Sequence, residues 1–238
     1  MSTRLPLWAL KYVEPTPLRH ALARYRGVWI LRELKAHADS KYNLDTAFRL
    51  RCIFFHIPKT AGVAVCDGLF GDRGPGHMDV EIAKVVFGKW RFQSFFKFCF
   101  VRNPWDRLVS AFHYLRHGRP DSPIVNMVTA SLSFTDFVND ALSSPIVQGE
   151  LHIRPQHLFV VDKRGRLQMD YVGRFERLQR HFDVVAQRLG VTGRLAGQNQ
   201  SPHADYRDYY DDQTRRIVGE FYRRDIDLFR YRFDGFRE

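Results

Sequence analysis

A lysine and an arginine, far apart in this 238-residue chain, each stand close behind an apolar run. Lys59 follows "FFHIP" (54–58), and Arg102 follows "FFKFCFV" (95–101). The first run passes without a break into Pro58-Lys59-Thr60-Ala61-Gly62 and then into "VAVCDGLF", which can begin a helix. A loop that enters a helix offers free backbone N–H groups and the positive end of a dipole, so it attracts phosphate-like anions. Lys59 adds a mobile point charge, and Gly62 lets the backbone approach closely. The GxxxxGK[ST] spacing of an ATP-binding loop is missing. No acidic residue stands at a strand end to hold Mg²⁺ as nucleotide triphosphatases require. The chemistry left over is transfer of a group from a nucleotide donor by charge alone, without a metal.

Ten histidines could add acid–base chemistry. His77, in "RGPGHMDVEIAKVVFG", lies between the two cation-bearing segments, after a Gly-Pro-Gly turn. His56 sits inside the first apolar run and reads as a core histidine. His113 and His117 have the i, i+4 spacing of a metal pair, but with no acidic companion or third ligand they read as a solvated helix end. His152 and Gln156, around "HIRPQ", could face a substrate; Arg154 and Pro155 equally suggest a structural turn. Cys52, Cys66 and Cys99 form neither a disulfide framework nor a CxxC pair, and are expected to be reduced core thiols.

The elements that must position these residues alternate between strand and helix. "RCIFFHI" (51–57) is apolar on both faces, as a central parallel strand should be. After the second strand, Asn103 can cap a helix whose first position suits Pro104. Ser133 or Thr135 opens a short helix through Leu142. "QHLFVVD" (156–162), a Gly165 turn and "LQMDYVG" (167–173) read as further strands. "RFERLQRHFDVVAQRLG" is the clearest helix, with Phe175, Leu178, Phe182, Val185 and Leu189 as its stripe and Gly190 at its end. A last helix or helix pair spans 211–229. This alternation predicts a layered α/β domain with a mostly parallel central sheet. Ligands gather beyond the carboxyl ends of such strands, where both Lys59 and Arg102 belong.

"FFHIPKTAG" followed by "FCFVRNPWDRLVSAFHYL" resembles the pair of cofactor motifs in the carbohydrate sulfotransferase family that includes the chondroitin and HNK-1 sulfotransferases, with bacterial members of similar length. The likeness continues through "IRPQHLF", "YVGRFERLQRHFDVVAQRLG", "NQS" and "YYDDQTRRIVGEFYRRDIDLFRY", covering roughly 51–233. The resemblance implies a three-layer sandwich of the P-loop NTPase-like sulfotransferase type. It also implies a donor, 3′-phosphoadenosine 5′-phosphosulfate (PAPS), with 3′,5′-ADP as product, no metal, and a saccharide or glycolipid hydroxyl as acceptor. By position, Lys59, Thr60, Ala61, Gly62 and Val63 would cradle the 5′-phosphosulfate, and Arg102 and Ser110 would hold the 3′-phosphate. Asn199 and Ser201 would close over the nucleotide, and Arg174 and Glu176 could approach the adenosine. His77 resembles a histidine placed as general base in related glycan sulfotransferases. Family members usually carry hydroxyl residues after the glycine, where this chain has Val63 and Ala64, so backbone N–H groups would take over that work. An inactive homologue that binds nucleotide or anionic glycan, and a P-loop nucleotide kinase, remain as alternatives.

The bulk numbers agree with an anionic ligand. Thirty-seven Lys and Arg against 26 Asp and Glu leave a net charge of +11. The excess is spread along the chain without a basic stripe or nucleic-acid module. Residues 1–47 are expected to form a basic helical extension, with a helix over 15–37, and 48–238 the sulfotransferase domain. That helix could meet a membrane surface or a second subunit. No run reaches the length of a membrane-spanning helix, and no secretory segment is evident at the start. A soluble protein of a bacterial cytoplasm is expected.

Overall fold

A computed structural model of the chain describes residues 44–72, 74, 76–118, 122–195 and 204–237. The expected helix over 15–37 lies outside the described residues. In chain order the first elements are α1 (Asp45–Leu50), β1 (Cys52–Phe55), α2 (Gly62–Phe70), α3 (Val80–Ser94), β2 (Phe96–Val101), α4 (Pro104–Arg116) and α5 (Pro123–Ala130). They are followed by β3 (Tyr171–Arg174), α6 (Leu178–Leu189), α7 (Asp212–Phe221), α8 (Arg223–Phe229), β4 (Tyr231–Arg232) and β5 (Gly235–Phe236). These elements divide into two compact units. One is built from residues 44–101 and 156–195, the other from 102–155 and 204–237.

The first unit carries a three-stranded parallel sheet in the order β1-β2-β3, flanked by helices, which is the α/β architecture that the alternating pattern predicts. Cys52 pairs with Phe96 and Phe55 with Cys99; Val101 pairs with Arg174. Every residue of β1 is buried, because a parallel strand covered on both faces has no position left for a polar side chain. Phe54 stacks on Phe98 with ring centroids 5.0 Å apart. Both pack with Phe100 against Val65, Cys66 and Leu69 of α2 and Leu178, Phe182 and Val185 of α6. All three cysteines are buried free thiols, and burial pushes the Cys52 thiol up to about 12. A thiol so disfavoured as thiolate is an inert core residue.

Two expected strands shift. "QHLFVVD" forms a helical turn, His157–Val160, instead of a strand; an apolar run this short has no periodicity to tell the two apart. Val161 and Leu167 make an isolated antiparallel bridge around the expected Gly165 turn. Asp162 closes that turn, accepting from the Arg166 and Arg164 N–H groups, and these bonds help pull its carboxyl down to about 2. The strand expected over 167–173 runs instead from Tyr171 to Arg174. Helix α6 ends at Gly190 in the left-handed region, as expected, while Phe175 lies in a 3₁₀ turn before it.

The second unit is helical. Asn103 caps α4 by accepting from the Trp105 N–H, with Pro104 in the first turn. Ser133 caps its short helix through a reciprocal pair with Asp136, and the segment continues as a π turn, Phe137–Ala141. Trp105, Leu108 and Phe112 pack with Val125, Phe137 and Val218. The expected last segment is a helix pair, α7 and α8. Among the described residues, no helix is long and apolar enough to cross a membrane.

A β-carbon at Gly173 would stand 2.8 Å from the Phe100 ring and 3.1 Å from the His181 β-carbon. Gly173→Ala is therefore expected to lower the unfolding free energy by about 1–3 kcal/mol, the usual cost of overpacking. Its urea midpoint should fall; an unchanged midpoint would mean that the sheet can yield there.

Candidate functional site

In the sheet-bearing unit the chain leaves the carboxyl end of β1 and turns sharply. Lys59 and Ala61, neither a glycine, have φ of 67° and 62°. Left-handed residues of this kind cost free energy and persist only where their surroundings hold them. Here Thr60 is wholly buried and its hydroxyl donates to the Ile57 carbonyl at 2.8 Å. Left-handed residues alternating with ordinary ones turn successive N–H groups toward one concavity, an arrangement suited to anions. Helix α2 starts directly after, with no side chain capping it at Ala61, so its first N–H groups point to the same place. Val63, in the first turn, is 60% exposed.

The glycine of this loop has a reason that its sequence context does not reveal. A β-carbon at Gly62 would lie 1.9 Å from the His56 ring. The close approach it permits is therefore that of an imidazole. His56 is buried and stacked on Phe54 at 5.6 Å, consistent with its reading as a core histidine. Its other neighbour is His77, whose ring centroid lies 4.2 Å away. The His77 Nδ1 stands 2.7 Å from the His56 backbone oxygen. A carbonyl oxygen has no proton to give, so the neutral ring carries its proton on Nδ1 and keeps its lone pair on Nε2. Lys59, Thr60, Ala61, Gly62 and His77 thus belong to one small assembly, joined through His56. Nothing in the spacing of the two histidines signals that link.

In the helical unit, Arg102 directly follows the carboxyl end of β2. Its guanidinium is held by both oxygens of Asp106, with Nε and Nη2 each donating at 2.7 Å. Asp106 lies in the first turn of α4 and Ser110 one turn further on, near one face of that helix, while Arg102 precedes the Asn103 cap. Ser110 is 1% exposed, and its hydroxyl has no hydrogen-bond partner among the described residues. Buried hydroxyls are almost always paired. An orphaned one beside an arginine–carboxylate pair fits an anion that would accept from it.

Two supporting groups escape a reading by spacing. Asn103 caps α4 and also donates through Nδ2 to the Arg232 and Phe233 carbonyls, tying the helix start to the β4–β5 hairpin. Arg107 is fully buried, with Tyr222 and Asp225 close enough to act on its charge. Burial lowers its pKa, while Tyr222 and Asp225 oppose that shift.

Of the residues expected near an acceptor, His152 belongs to the helical unit and Gln156 to the sheet-bearing one. His152 Nδ1 meets buried Glu150 at 2.9 Å, with its ring against Tyr114; Gln156 is fully buried. Asn199 and Ser201 lie outside the described residues. His113 meets the Tyr209 hydroxyl at 2.9 Å, and exposed His117 donates from Nδ1 to the His113 carbonyl. Among the described residues no cluster of three or more His, Cys, Asp or Glu could hold a metal.

Comparison with known proteins gives these features a setting. Residues 84–232 match the family model described as "Sulfotransferase family", a span that contains Arg102 and Ser110 and begins after the Lys59 loop and His77. An uncharacterized protein of Archaeoglobus fulgidus is 29% identical over 113 residues, covering 45% of this chain and 78% of that protein. No solved structure matches the chain significantly.

The tautomer at His77 can be read directly. Nitrogen-15 chemical shifts of neutral His77 should place the proton on Nδ1. A majority of the Nε2-protonated form would mean that the bond to the His56 carbonyl is not made.

Proposed function

The chain belongs to the sulfotransferase family, and on that premise we propose that it moves a sulfuryl group from PAPS to a hydroxyl of a carbohydrate or glycolipid. The observation that carries this reading is the buried Ser110 hydroxyl, without a hydrogen-bond partner among the described residues, one turn beyond the Asp106 that grips Arg102. Arg102 and Ser110 hold the 3′-phosphate, with Asp106 fixing the plane of the arginine fork; a planar fork suits phosphate oxygens. The N–H groups of residues 60–63 and the Lys59 ammonium take the 5′-phosphosulfate. Asn199 and Ser201 close over the nucleotide, and His152 and Gln156 face the acceptor.

The donor supplies an activated sulfur whose bond to the bridging phosphate oxygen breaks as the acceptor oxygen bonds to it. Lys59 neutralises the charge left on the phosphate, and no metal is required. A sugar hydroxyl is a poor nucleophile at neutral pH, so its proton must leave as the new bond forms. Nε2 of His77 accepts that proton, since the His56 carbonyl already engages Nδ1. Such base assistance is worth roughly 10²–10⁴-fold in rate.

Calorimetry with 3′,5′-ADP in the absence of metal tests donor binding. Lys59→Ala and Arg102→Ala should each abolish the measurable heat. Ser110→Ala should weaken binding by about tenfold or more, the value of a hydrogen bond to a charged group. No heat for 3′,5′-ADP together with clear heat for Mg-ATP would reassign the site to a nucleotide kinase.

His77→Ala should keep its affinity for 3′,5′-ADP and lose roughly 10²–10⁴-fold in turnover, measured by transfer of labelled sulfate from PAPS to an acceptor panel. Unchanged turnover would remove His77 from the mechanism.

A further inference from the structure

The edge of the sheet opposite the Lys59 loop, where the strands begin, has a chemistry of its own. Helix α1 delivers Arg49 and Arg51 just before β1, and both are exposed. Helix α3 delivers exposed Lys89, Trp90 and Arg91 just before β2. The two groups are neighbours. Phe48 of α1 packs on Phe87 and Phe95 at 5.2 and 6.3 Å, the Arg91 guanidinium covers the Phe48 ring at 5.5 Å, and the Phe96 N–H donates to the Arg51 carbonyl. Arg188, near the end of α6, extends the surface by lying over the Phe96 ring at 5.6 Å. Asp170, a carboxylate on this edge, is engaged by the backbone N–H and the ammonium of Lys97. Five exposed cations, Arg49, Arg51, Lys89, Arg91 and Arg188, thus outweigh exposed Asp45 and the already engaged Asp170.

Trp90 is the unusual member. It is 68% exposed, while Phe87 and Phe92 on either side of it are buried. Its position follows from Gly88, whose φ of 75° and ψ of 159° break α3 into two segments. A β-carbon at Gly88 would touch nothing within 4 Å, so the glycine serves the backbone turn and not packing. The break lets the last turn bury Phe92 while Trp90 stands out between two cations. Further along this edge a groove of about 570 Å³ runs between the end of α3 and α6, lined by apolar Phe95, Phe96, Tyr171 and Val184 and by polar groups that include Lys97 and Arg188. An indole held in water among lysines and arginines suits one environment well. Its apolar body belongs in the headgroup layer of a bilayer, and the surrounding cations belong over anionic lipid.

We propose that this amino-terminal sheet edge docks the protein on anionic lipid bilayers, with Trp90 inserted at the headgroup level and Arg49, Arg51, Lys89, Arg91 and Arg188 over the lipid phosphates. Docking in this way leaves the Lys59 loop, at the opposite edge of the same sheet, directed away from the bilayer. The inference is independent of the reaction assigned above and concerns residues distinct from the expected N-terminal helix.

Co-sedimentation of the full chain with vesicles tests it. The protein should bind vesicles of equimolar phosphatidylcholine and phosphatidylglycerol, release them as salt is raised, and ignore phosphatidylcholine alone. Each cation at such a surface contributes about 1 kcal/mol, roughly fivefold in partitioning. The Arg49→Gln, Lys89→Gln double variant should therefore bind roughly thirtyfold more weakly while its urea midpoint stays unchanged. In a Trp8→Phe, Trp29→Phe chain the remaining tryptophans are exposed Trp90 and buried Trp105. Brominated phosphatidylcholine included in the anionic vesicles should quench the Trp90 fluorescence. No binding, or equal binding to neutral vesicles, would overturn the proposal. So would binding that survives the double variant without bromine quenching, which would assign the membrane contact to residues before 44.

Discussion

The imidazole of His56 fills the space that any side chain at position 62 would need, and the loop between these residues takes its shape from that contact. β1 is buried on every side, so the chain can offer polar groups only once it has left the sheet. It does so within a few residues, through two left-handed positions that neither lysine nor alanine favours. Burial of Ile57 and Thr60, together with the Thr60 bond to the Ile57 carbonyl, offsets that strain. The same His56 presents its carbonyl to His77 and so decides which ring nitrogen keeps a lone pair. The ring of His56 requires the glycine at the helix start, and its backbone carbonyl sets the tautomer of His77.

The helical unit reaches a comparable rigidity by different means. Asn103 satisfies the start of α4 and the final hairpin with one amide. The wholly buried Arg107 finds Tyr222, whose hydroxyl also donates to the Ile153 carbonyl. Such a group is costly to strand, which favours a single arrangement of the helices around it. Asp106 matters in two opposite ways. It holds the Arg102 fork in one plane, and its own negative charge offsets that of the guanidinium. The Ser110 hydroxyl, unsatisfied among the described residues, is a directional donor one turn further along α4.

The two edges of the sheet differ in chemistry. At the carboxyl ends, β1 opens into a nest of N–H groups behind a lysine. At the amino ends, the short helix before β1 and the broken helix before β2 bring arginines, a lysine and a tryptophan to one surface. A parallel sheet makes this separation unavoidable, since all strands begin at one edge and finish at the other.

The chain by itself determined the alternation of elements, the cap at Asn103-Pro104, the Gly190 stop and the inward stripe of α6, because each depends on residues within a turn or two of one another. It also showed which residue types could meet an anion: Lys59 in its loop, Arg102 after the second strand and Ser110 on the helix that follows. Tertiary structure decided what local pattern leaves open. "QHLFVVD" became a helical turn, as a short apolar run is compatible with either state until its neighbours choose. Gly62 proved necessary because of His56, a ring six positions away that sequence places inside the preceding run. The tautomer of His77 was set by a carbonyl from another segment, and the exposure of Trp90 by what its neighbours on α3 could bury. Those outcomes depend on contacts between distant parts of the chain, and no spacing encodes them.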